Sequence, residues 1–257
     1  MNSKEFYENH TNFSGRTFSE YFISPGIRCK YDIILKKFGN LQDFKRAVDI
    51  GCSGNSILKL FKNFKYKLFF DIANITLTQY SNQNNNSEFC QPICGDMTKL
   101  PYRDNCFDII FTLDTLEHIN ADEIAVSELS RVLRRKGIII ITIPHRMKYY
   151  SKQDKIIGHF RRYEMDRIIS LFKKYGLKCF NHFGVYGQLM KISFFQKLNP
   201  EKIEINLNKL RSHYNSKTLF RKFWNIIVYI GSKIMILDAK YQPIKKRMNI
   251  GLIFFKI

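Results

Sequence analysis

Short runs of β-branched and aromatic residues alternate with longer helical patterns from about residue 44 onward. This alternation is typical of an α/β protein built on a parallel sheet. Some runs, such as GIIIITI at 137–143, are apolar at every position, as expected for strands that are covered on both faces. The pattern predicts seven strands: Phe44–Ile50, Tyr66–Asp71, Phe89–Cys94, Phe107–Thr112, Gly137–Ile143, Gly176–Gly184 and Met248–Lys256.

Apolar residues at helical spacing fill most of the gaps between these strands. They predict four helices: Ser56–Phe64, Ile75–Gln83, Ala121–Arg135 and Met165–Tyr175. Before the first strand, residues 24–38 form an amphipathic pattern that Ser24 and Pro25 open as a helix start. We therefore expect an N-terminal helical cap over residues 1–40 and a core formed by residues 41–185 together with 248–257.

A long segment, residues 186–247, separates the last two predicted strands and far exceeds a hairpin connection. Its pattern predicts a helical insert that is basic and aromatic. At 219–237 apolar residues almost encircle the helix, but the stretch is shorter than the ~20 residues that a membrane-spanning helix requires. Such a helix packs on the core or on a second subunit, lies in an anionic membrane surface, walls a channel for an apolar substrate, or contacts nucleic acid. The pattern does not choose among them.

The positive charge of the chain is concentrated in two stretches. The 257 residues contain 42 Lys and Arg against 22 Asp and Glu, a net charge of +20. Residues 131–174 and 186–247 each contain thirteen basic and three acidic residues, and the rest of the chain is neutral. A surface of this kind attracts nucleic acid, anionic lipid or phosphorylated small molecules.

Composition also narrows the class of protein and its location. With 45% hydrophobic and 25% charged residues, the chain is neither disordered nor a polytopic membrane protein. The N-terminal residues contain no apolar signal segment, and the six cysteines form no CxxC pair. We expect a cytoplasmic location, with peripheral attachment at the inner face of the membrane as an alternative.

The first motif with chemical content is AVDIGCSGNS, residues 47–56. A strand ends near Asp49 and continues into a turn in which Gly51 and Gly54 allow the backbone to approach a ligand closely. Ser53 and Ser56 stand where a dinucleotide fingerprint has glycine, and no GK[ST] follows, so neither that fingerprint nor a P-loop is present.

Two further carboxylates follow strands. Asp71 ends the second strand twenty residues after Gly51, where a carboxylate can accept hydrogen bonds from ribose hydroxyls. Asp96 follows the third strand, where a side chain can meet an adenine edge. The fourth strand then runs directly into the polar turn TLDTLEHI. Together these positions indicate a nucleoside-containing cofactor.

The motifs VDIGCSGN, LFFDIAN, GDMTKLPYRDNCFD, TLDTLEHI, LRRKGIIIITIP and GHFRRYEMDRIISLF follow one another in a familiar order and spacing. Over roughly residues 40–185 and the last strand, the chain resembles the class I S-adenosylmethionine-dependent methyltransferases, in particular the group that includes ubiquinone-biosynthesis and other small-molecule enzymes. The resemblance implies a Rossmann-like, seven-stranded, mostly parallel sheet with helices on both faces, to which this chain adds the helical insert. It also implies S-adenosylmethionine as the cofactor.

Residue roles follow from the same resemblance. The positions implied for cofactor binding are Asp49, Gly51, Cys52, Gly54, Asp71, Ile72, Asp96, Met97, Thr112, Leu113 and Asp114. The family's usual GxGxG is altered, since Ser53 and Asn55 replace its second and third glycines. The family's GHxRxY segment corresponds to His159, Arg161, Arg162 and Tyr163, which either border the acceptor pocket or pin a basic loop through hydrogen bonds.

His118 and His145 are the candidate catalytic residues. His118 belongs to a cluster with Asp114 and Glu117 that has three interpretations: a structural helix start, a general base, or a divalent metal site. His145 follows the fifth strand and is expected at the edge of the same pocket.

The resemblance implies methyl transfer to a small-molecule or lipid-like acceptor, more at oxygen than at nitrogen. TLDT stands where base amino-methyltransferases have their motif, which counts against N-methylation of bases but leaves ribose and other RNA oxygens open. An RNA methyltransferase that uses the basic stretches for phosphate contacts is one alternative. A non-catalytic partner subunit is another, against which the intact carboxylates at 49, 71 and 96 argue. The oligomeric state is not predicted.

Overall fold

A computed structural model describes residues 3–39, 43–80, 89–192 and 200–257. Its centre is a seven-stranded sheet in the order β3-β2-β1-β4-β5-β7-β6, in which β7 alone runs antiparallel to its neighbours. The predicted fold class, a mostly parallel sheet between helices, is confirmed. The strands are β1 Arg46–Ile50, β2 Tyr66–Asp71, β3 Phe89–Cys94, β4 Phe107–Leu113, β5 Leu133–Pro144, β6 Leu177–Tyr186 and β7 Asn249–Lys256.

Helices precede the sheet, cover its faces and fill the long connection before β7. The α-helices are α1 Ser3–Asn9, α2 Thr11–Ser14, α3 Glu20–Ile23, α4 Pro25–Phe38, α5 Asn74–Leu77, α6 Asp122–Val132, α7 Lys152–Ile156, α8 Met165–Lys174, α9 Leu189–Ile192, α10 Pro200–Ser216 and α11 Thr218–Tyr241. Short 3-10 turns occur at Ile57–Leu60, Thr78–Tyr80, Leu116–His118, Met147–Tyr149 and Ile244–Lys246.

Two apolar layers cover the faces of the sheet. On one face α6 and α8 pack on the central strands, and Phe172 stacks on Phe254 of β7 with 4.0 Å between ring centroids. On the other face the ring centroids of Phe61 and Phe111 of β4 are 5.4 Å apart, and α4 contributes buried residues to the same layer. This arrangement explains why the central strands are apolar at nearly every position.

The predicted helix Ser56–Phe64 is wrong beyond its first turn. Only the 3-10 turn Ile57–Leu60 forms, because Phe61 and Phe64 leave the helical path to enter the core beside Phe111. The Phe61 carbonyl then accepts a hydrogen bond from the buried ammonium group of Lys67. Core packing therefore overrides the local helical spacing.

The other differences are smaller. The predicted helix Ala121–Arg135 ends at Val132, because β5 begins four residues early at Leu133, which pairs with Phe107. Lys136 adopts a positive φ of 61° within this irregular start of β5. The predicted helix Ile75–Gln83 is the short α5 followed by a 3-10 turn, and its end lies outside the described residues.

The described parts of the connection before β7 are mostly helical, as its pattern indicates. Helix α11 packs along α4 and also contacts β6. Its Trp224 indole donates a hydrogen bond to the carbonyl of Ile23 in α3 at 3.0 Å. None of the helices in the described ranges combines the length and hydrophobicity that a membrane-crossing segment requires.

Replacing Phe172 by alanine should lower the free energy of unfolding by about 3–5 kcal/mol, because the ring is fully buried against Phe254. Urea unfolding followed by circular dichroism measures the change. The control is Phe180→Ala on β6, where the ring is 74% exposed and the expected change is within about 0.5 kcal/mol. Equal effects of the two variants would contradict this packing of α8 on β7.

Candidate active site

A cavity of about 660 Å³ lies at the carboxyl ends of the parallel strands. The loops after β1, β2, β3 and β4 form its floor, and residues of the N-terminal helices also line it. In open α/β sheets this end of the strands is the usual location of ligand sites.

The loop after β1 is held against the end of β2 by Asp71. One carboxylate oxygen of Asp71 accepts a hydrogen bond from the Ser53 backbone N–H at 2.8 Å, and the other accepts one from Ala73 at 2.9 Å. Gly51 has a φ of 77° and Ser53 a φ of 48°, so the chain turns sharply here. Burial raises the pKa of Asp71, although these N–H groups oppose the shift.

Asp49 lies below this loop and is almost completely buried. The Ser56 hydroxyl donates a hydrogen bond to its carboxylate at 2.5 Å. Burial raises the pKa of Asp49 to about 6, and the Ser56 hydrogen bond only partly offsets this effect. The charge of Asp49 therefore changes close to neutral pH.

Asp114 follows β4 with a φ of 54° and is held by residues from three other elements. It forms an ion pair with Lys30 of α4 at 2.8 Å and accepts hydrogen bonds from Thr142 of β5 at 2.9 Å and Asn249 of β7 at 2.7 Å. Burial acts to raise the pKa of Asp114, but Lys30 and the hydrogen bonds outweigh it and hold the pKa below its usual value. Asp114 is therefore charged.

A buried group of titratable side chains lies on the far side of the cavity. Glu117 is fully buried, and neither of its carboxylate oxygens accepts a hydrogen bond from another described residue. His159 Nε2 is 3.7 Å from Glu117 Oε1, and the rings of His118 and His159 are 4.5 Å apart. Burial, together with the charge of Asp114, raises the pKa of Glu117 well above its usual value.

His118 is neutral in this setting. Burial lowers its pKa well below the usual value, and the nearby His159 adds to the shift. Its Nδ1 atom is 2.8 Å from the hydroxyl oxygen of Tyr7 in α1. Burial and the nearby Glu117 raise the pKa of Tyr7, so its hydroxyl stays protonated. The hydroxyl is therefore the donor in the hydrogen bond to His118.

Asp154 anchors the basic segment after β5. It accepts hydrogen bonds from the Ser151 N–H and hydroxyl, from His159 Nδ1 at 2.8 Å and from Arg162. Burial acts against ionisation, but these partners hold the pKa of Asp154 below its usual range. Arg162 and His159 are thereby fixed at the cavity wall.

The N-terminal segment lies directly on the loop after β1. A Cβ atom added to Gly54 would stand 1.8 Å from the Arg16 carbonyl oxygen, so glycine is required for this contact. Tyr7, Phe13 and Arg16 all line the cavity. These residues belong to no recognisable motif, and the sequence analysis missed them.

The cavity brings together most of the predicted site residues. Those that line it are Asp49, Gly51, Cys52, Asp71, Ile72, Asp96, Met97, Leu113, Asp114, Glu117, His118, His159 and Arg162. Gly54, Thr112, His145, Arg161 and Tyr163 do not line it.

Each of these five residues has a structural reason for its position. Gly54 contacts the backbone of Arg16, and Thr112 is buried within β4. His145 is buried with its Nδ1 3.2 Å from the Arg247 carbonyl oxygen. Arg161 and Tyr163 both bind the Asp122 carboxylate, at 2.7 and 3.0 Å. They thereby hold the segment after β5 against the start of α6.

The structure brings together a different candidate metal-ligating group from the predicted Asp114, Glu117 and His118. Among the described residues, the group whose ligand atoms lie within 4.8 Å of one another is Glu117, His118 and His159. Asp114 is not part of it, because its carboxylate faces Lys30.

Comparison with known proteins agrees with this architecture. Residues 48–141 match a family model described as a methyltransferase domain. An uncharacterised protein of Methanocaldococcus jannaschii is 28% identical over 163 residues, which cover 63% of this chain and 68% of that protein. A sterol 4-C-methyltransferase of Caenorhabditis elegans is 22% identical over 160 residues, or 59% of this chain and 46% of the enzyme.

Two solved structures share the fold. One is a candidate sarcosine dimethylglycine methyltransferase from Galdieria sulphuraria, with a TM-score of 0.61, 19% identity and coverage of 90% of this chain and 84% of that one. The other is phosphoethanolamine N-methyltransferase 2 of Haemonchus contortus in complex with S-adenosyl-L-methionine, with a TM-score of 0.61, 17% identity and coverage of 100% and 60%. Residues 48–141 therefore form a methyltransferase domain, and the chain has the fold of the class I S-adenosylmethionine-dependent methyltransferases.

Proposed function

We propose that this protein transfers a methyl group from S-adenosylmethionine to an oxygen atom of a small-molecule or lipid-like acceptor. The observation that carries the proposal is that a cofactor-type floor and a buried group of titratable side chains, Glu117, His118 and His159, share one cavity. A methyl donor and a methyl acceptor that bind in the same cavity are held close enough to react.

The residues of the cavity floor fit the cofactor. The Ser53 hydroxyl and the side-chain carbonyl of Asn249 are buried, line the cavity and find no hydrogen-bond partner within the described ranges. Each oxygen of Asp71 accepts one backbone N–H and has a further lone pair for a ribose hydroxyl. These groups are the kind that a polar ligand satisfies on binding.

In the proposed arrangement, Asp49, Gly51 and Cys52 border the methionine part of the cofactor, and Asp71 with Ile72 holds the ribose. Asp96 and Met97 border the adenine, and Leu113 with Asp114 lies beside the reacting group. The cofactor supplies an electrophilic methyl group on a positively charged sulfur. The protein aligns this group with the acceptor and excludes water.

Exclusion of water is the task we assign to the N-terminal segment. Phe13 and Arg16 line the cavity, and the contact of Arg16 with Gly54 brings the segment onto the loop after β1. Lys30 and Tyr31 of α4 extend the same wall. Transfer in this enclosed space is protected from competing hydrolysis.

A hydroxyl acceptor has a proton to lose, and the Tyr7–His118 pair can take it. The neutral imidazole of His118 accepts a hydrogen bond from Tyr7 at Nδ1. Tyr7 lines the cavity, so its oxygen can receive the acceptor's proton while its own proton moves to His118. We therefore assign His118 as the base and Tyr7 as its link to the acceptor.

The acceptor class is supported by the relatives. The sterol methyltransferase and the phosphoethanolamine methyltransferase act, by their names, on a lipid and on a small phosphorylated amine. A small or lipid-like acceptor suits a cavity of about 660 Å³, which lies within the usual range for small-molecule sites.

Label transfer identifies the acceptor. The purified protein is incubated with methyl-labelled S-adenosylmethionine and boiled host extract. The reaction mixture is then separated into an organic fraction, an aqueous fraction of small molecules and a nucleic-acid fraction. We expect label in the organic or small aqueous fraction, and the proton–carbon correlation spectrum and exact mass of a 13C-labelled product should place the methyl on oxygen. Nuclease-sensitive label would support the RNA alternative instead. Cofactor binding without transfer would support a non-catalytic subunit.

Asp71→Ala should weaken cofactor binding by at least about tenfold, because a hydrogen bond to a charged group contributes about 1.5–3 kcal/mol. Isothermal titration calorimetry with S-adenosylmethionine measures the change. The matched control is Asp166→Ala, whose carboxylate is exposed on α8. Since Asp71 also holds two backbone N–H groups, unfolding midpoints of both variants must be compared. Unchanged affinity in a folded Asp71→Ala protein would contradict the assignment of the cavity floor.

Cofactor affinity should rise with pH through the pKa of Asp49, about 6. The ionised carboxylate attracts the ammonium group of the cofactor and the protonated form does not, so we expect about a tenfold gain between pH 5 and pH 7 and a plateau above. Affinity measured across this range in the wild type and in Asp49→Asn tests the assignment. The affinity of the Asp49→Asn variant should not depend on pH in this range. If the pH dependence persisted, another group would be its source.

Tyr7→Phe and His118→Ala should each lower kcat by about 10²–10⁴-fold, with cofactor affinity nearly unchanged. Single-turnover transfer assays with the identified acceptor separate the chemical step from binding. Tyr66→Phe, at the opposite end of β2 from Asp71, is the matched control and should leave kcat unchanged. If kcat survived loss of the Tyr7 hydroxyl, the proposed proton path would be wrong.

A further inference from the structure

An unbroken apolar stripe runs along the outward side of α11. It consists of Leu219, Phe223, Ile226, Ile230, Ile234 and Leu237, each at least half exposed. Their spacing of three and four residues places all six within about 80° of the helix circumference. The helix is 24 residues long, so the stripe extends over much of about 36 Å. Folded proteins rarely leave so continuous an apolar surface in water without a partner.

The opposite side of the helix fixes this orientation. Val228, Ser232 and Ala239 are buried, and the helix packs along α4. Trp224 is tied to the Ile23 carbonyl, and Asn225 accepts a hydrogen bond from Tyr214 of α10 at 2.8 Å. The stripe therefore faces outward because the other side of the helix is already used in packing.

Lysine side chains border one edge of the stripe. Lys222 and Lys240 lie about 40° to the same side of it and are exposed, and Lys233 lies between them. Lys233 is 3.6 Å from Asp32 and 5.0 Å from the Tyr229 ring centroid. Lys245 and Lys246 follow in the exposed turn after the helix. The apolar stripe thus has a positively charged border.

The charge pattern argues against a second copy of this helix as the partner. In an antiparallel pair the same edges meet, so Lys222 of one copy would face Lys240 of the other, and like charges repel. Asp238 is the one acidic residue between 218 and 241, and its carboxylate already accepts hydrogen bonds from the Leu189 N–H and the Gln242 side chain. A copy of α11 therefore offers no free carboxylate to these lysines.

An anionic bilayer satisfies both parts of the surface. Acyl chains take up an apolar helix face to a depth of about 5–10 Å, and lipid phosphates attract the lysines at its border. We propose that α11 is a membrane-docking surface, on which the stripe from Leu219 to Leu237 enters the boundary between headgroups and acyl chains and the lysines contact anionic phospholipid. The helix lies in the plane of the membrane surface.

Cosedimentation of the full chain with lipid vesicles tests the proposal. Vesicles of phosphatidylcholine alone are compared with vesicles of phosphatidylcholine mixed with phosphatidylglycerol. The chain should bind the mixed vesicles more tightly, and added salt should weaken binding, because lysine–phosphate attraction is screened. The combined variant Lys222→Gln, Lys240→Gln, Lys245→Gln and Lys246→Gln should lose about fivefold in binding for each lysine that reaches the surface.

The decisive variant replaces Phe223, Ile230 and Leu237 by glutamine and should bind at least about a hundredfold more weakly, since three apolar anchors are lost. Its control replaces Ile75, Ile124 and Phe180 by glutamine, three similarly exposed apolar residues outside α11, and should bind as the wild type does. Unfolding midpoints should match, because all six positions are exposed.

Three results would overturn the proposal. The first is no binding to either vesicle. The second is binding that the stripe variant retains in full, which would assign it to the general positive charge of the chain. The third is a concentration-dependent dimer in sedimentation equilibrium that only the stripe variant loses, which would make a second copy the partner.

Discussion

The ion pair between Lys30 and Asp114 joins the cap to the sheet. Asp114 ends β4, Lys30 comes from α4, and the same carboxylate also binds side chains of β5 and β7. Charges taken out of water are costly unless they are paired and hydrogen-bonded, so removing either partner leaves an uncompensated charge in this wall. Asp114 therefore links the cap and the carboxyl ends of three strands at one side of the cavity.

Two buried carboxylates a short distance from this ion pair have opposite environments. Asp154 accepts hydrogen bonds from several partners and keeps its charge, and it fixes His159 and Arg162 in place. Glu117 is equally buried, but its carboxylate accepts no hydrogen bond from any other residue in the described part of the chain, and burial favours its protonated form. A satisfied carboxylate supports structure, whereas an unsatisfied one beside a cavity is available to a ligand. The two residues divide these tasks at the wall of one cavity.

What the sequence predicts well is local. The fully apolar strands and the carboxylates at their ends locate the sheet and the cavity floor, because strand periodicity and strand order depend on short stretches of chain. The contacts of Asp114 could not be predicted, since Lys30 is 84 residues away and belongs to no motif. For the same reason Tyr7 and Phe13 escaped notice. In the GHFRRY segment, Arg161 and Tyr163 turn to Asp122 while Arg162 turns to Asp154, and only tertiary packing separates these neighbours.

The antiparallel position of β7 has a consequence for how the protein folds. Among the described strands, β6 pairs with β7 alone, and β7 also covers the outer edge of β5. Until residues 249–256 are in place, β5 therefore has one unpaired edge and β6 has two. The long connection between β6 and β7 is then attached to the sheet at one end only. Pairings across such a separation form slowly, and unpaired edges favour association between chains. The last strand to be synthesised in this region thus controls both the completion of the sheet and the period during which nascent chains are prone to aggregate.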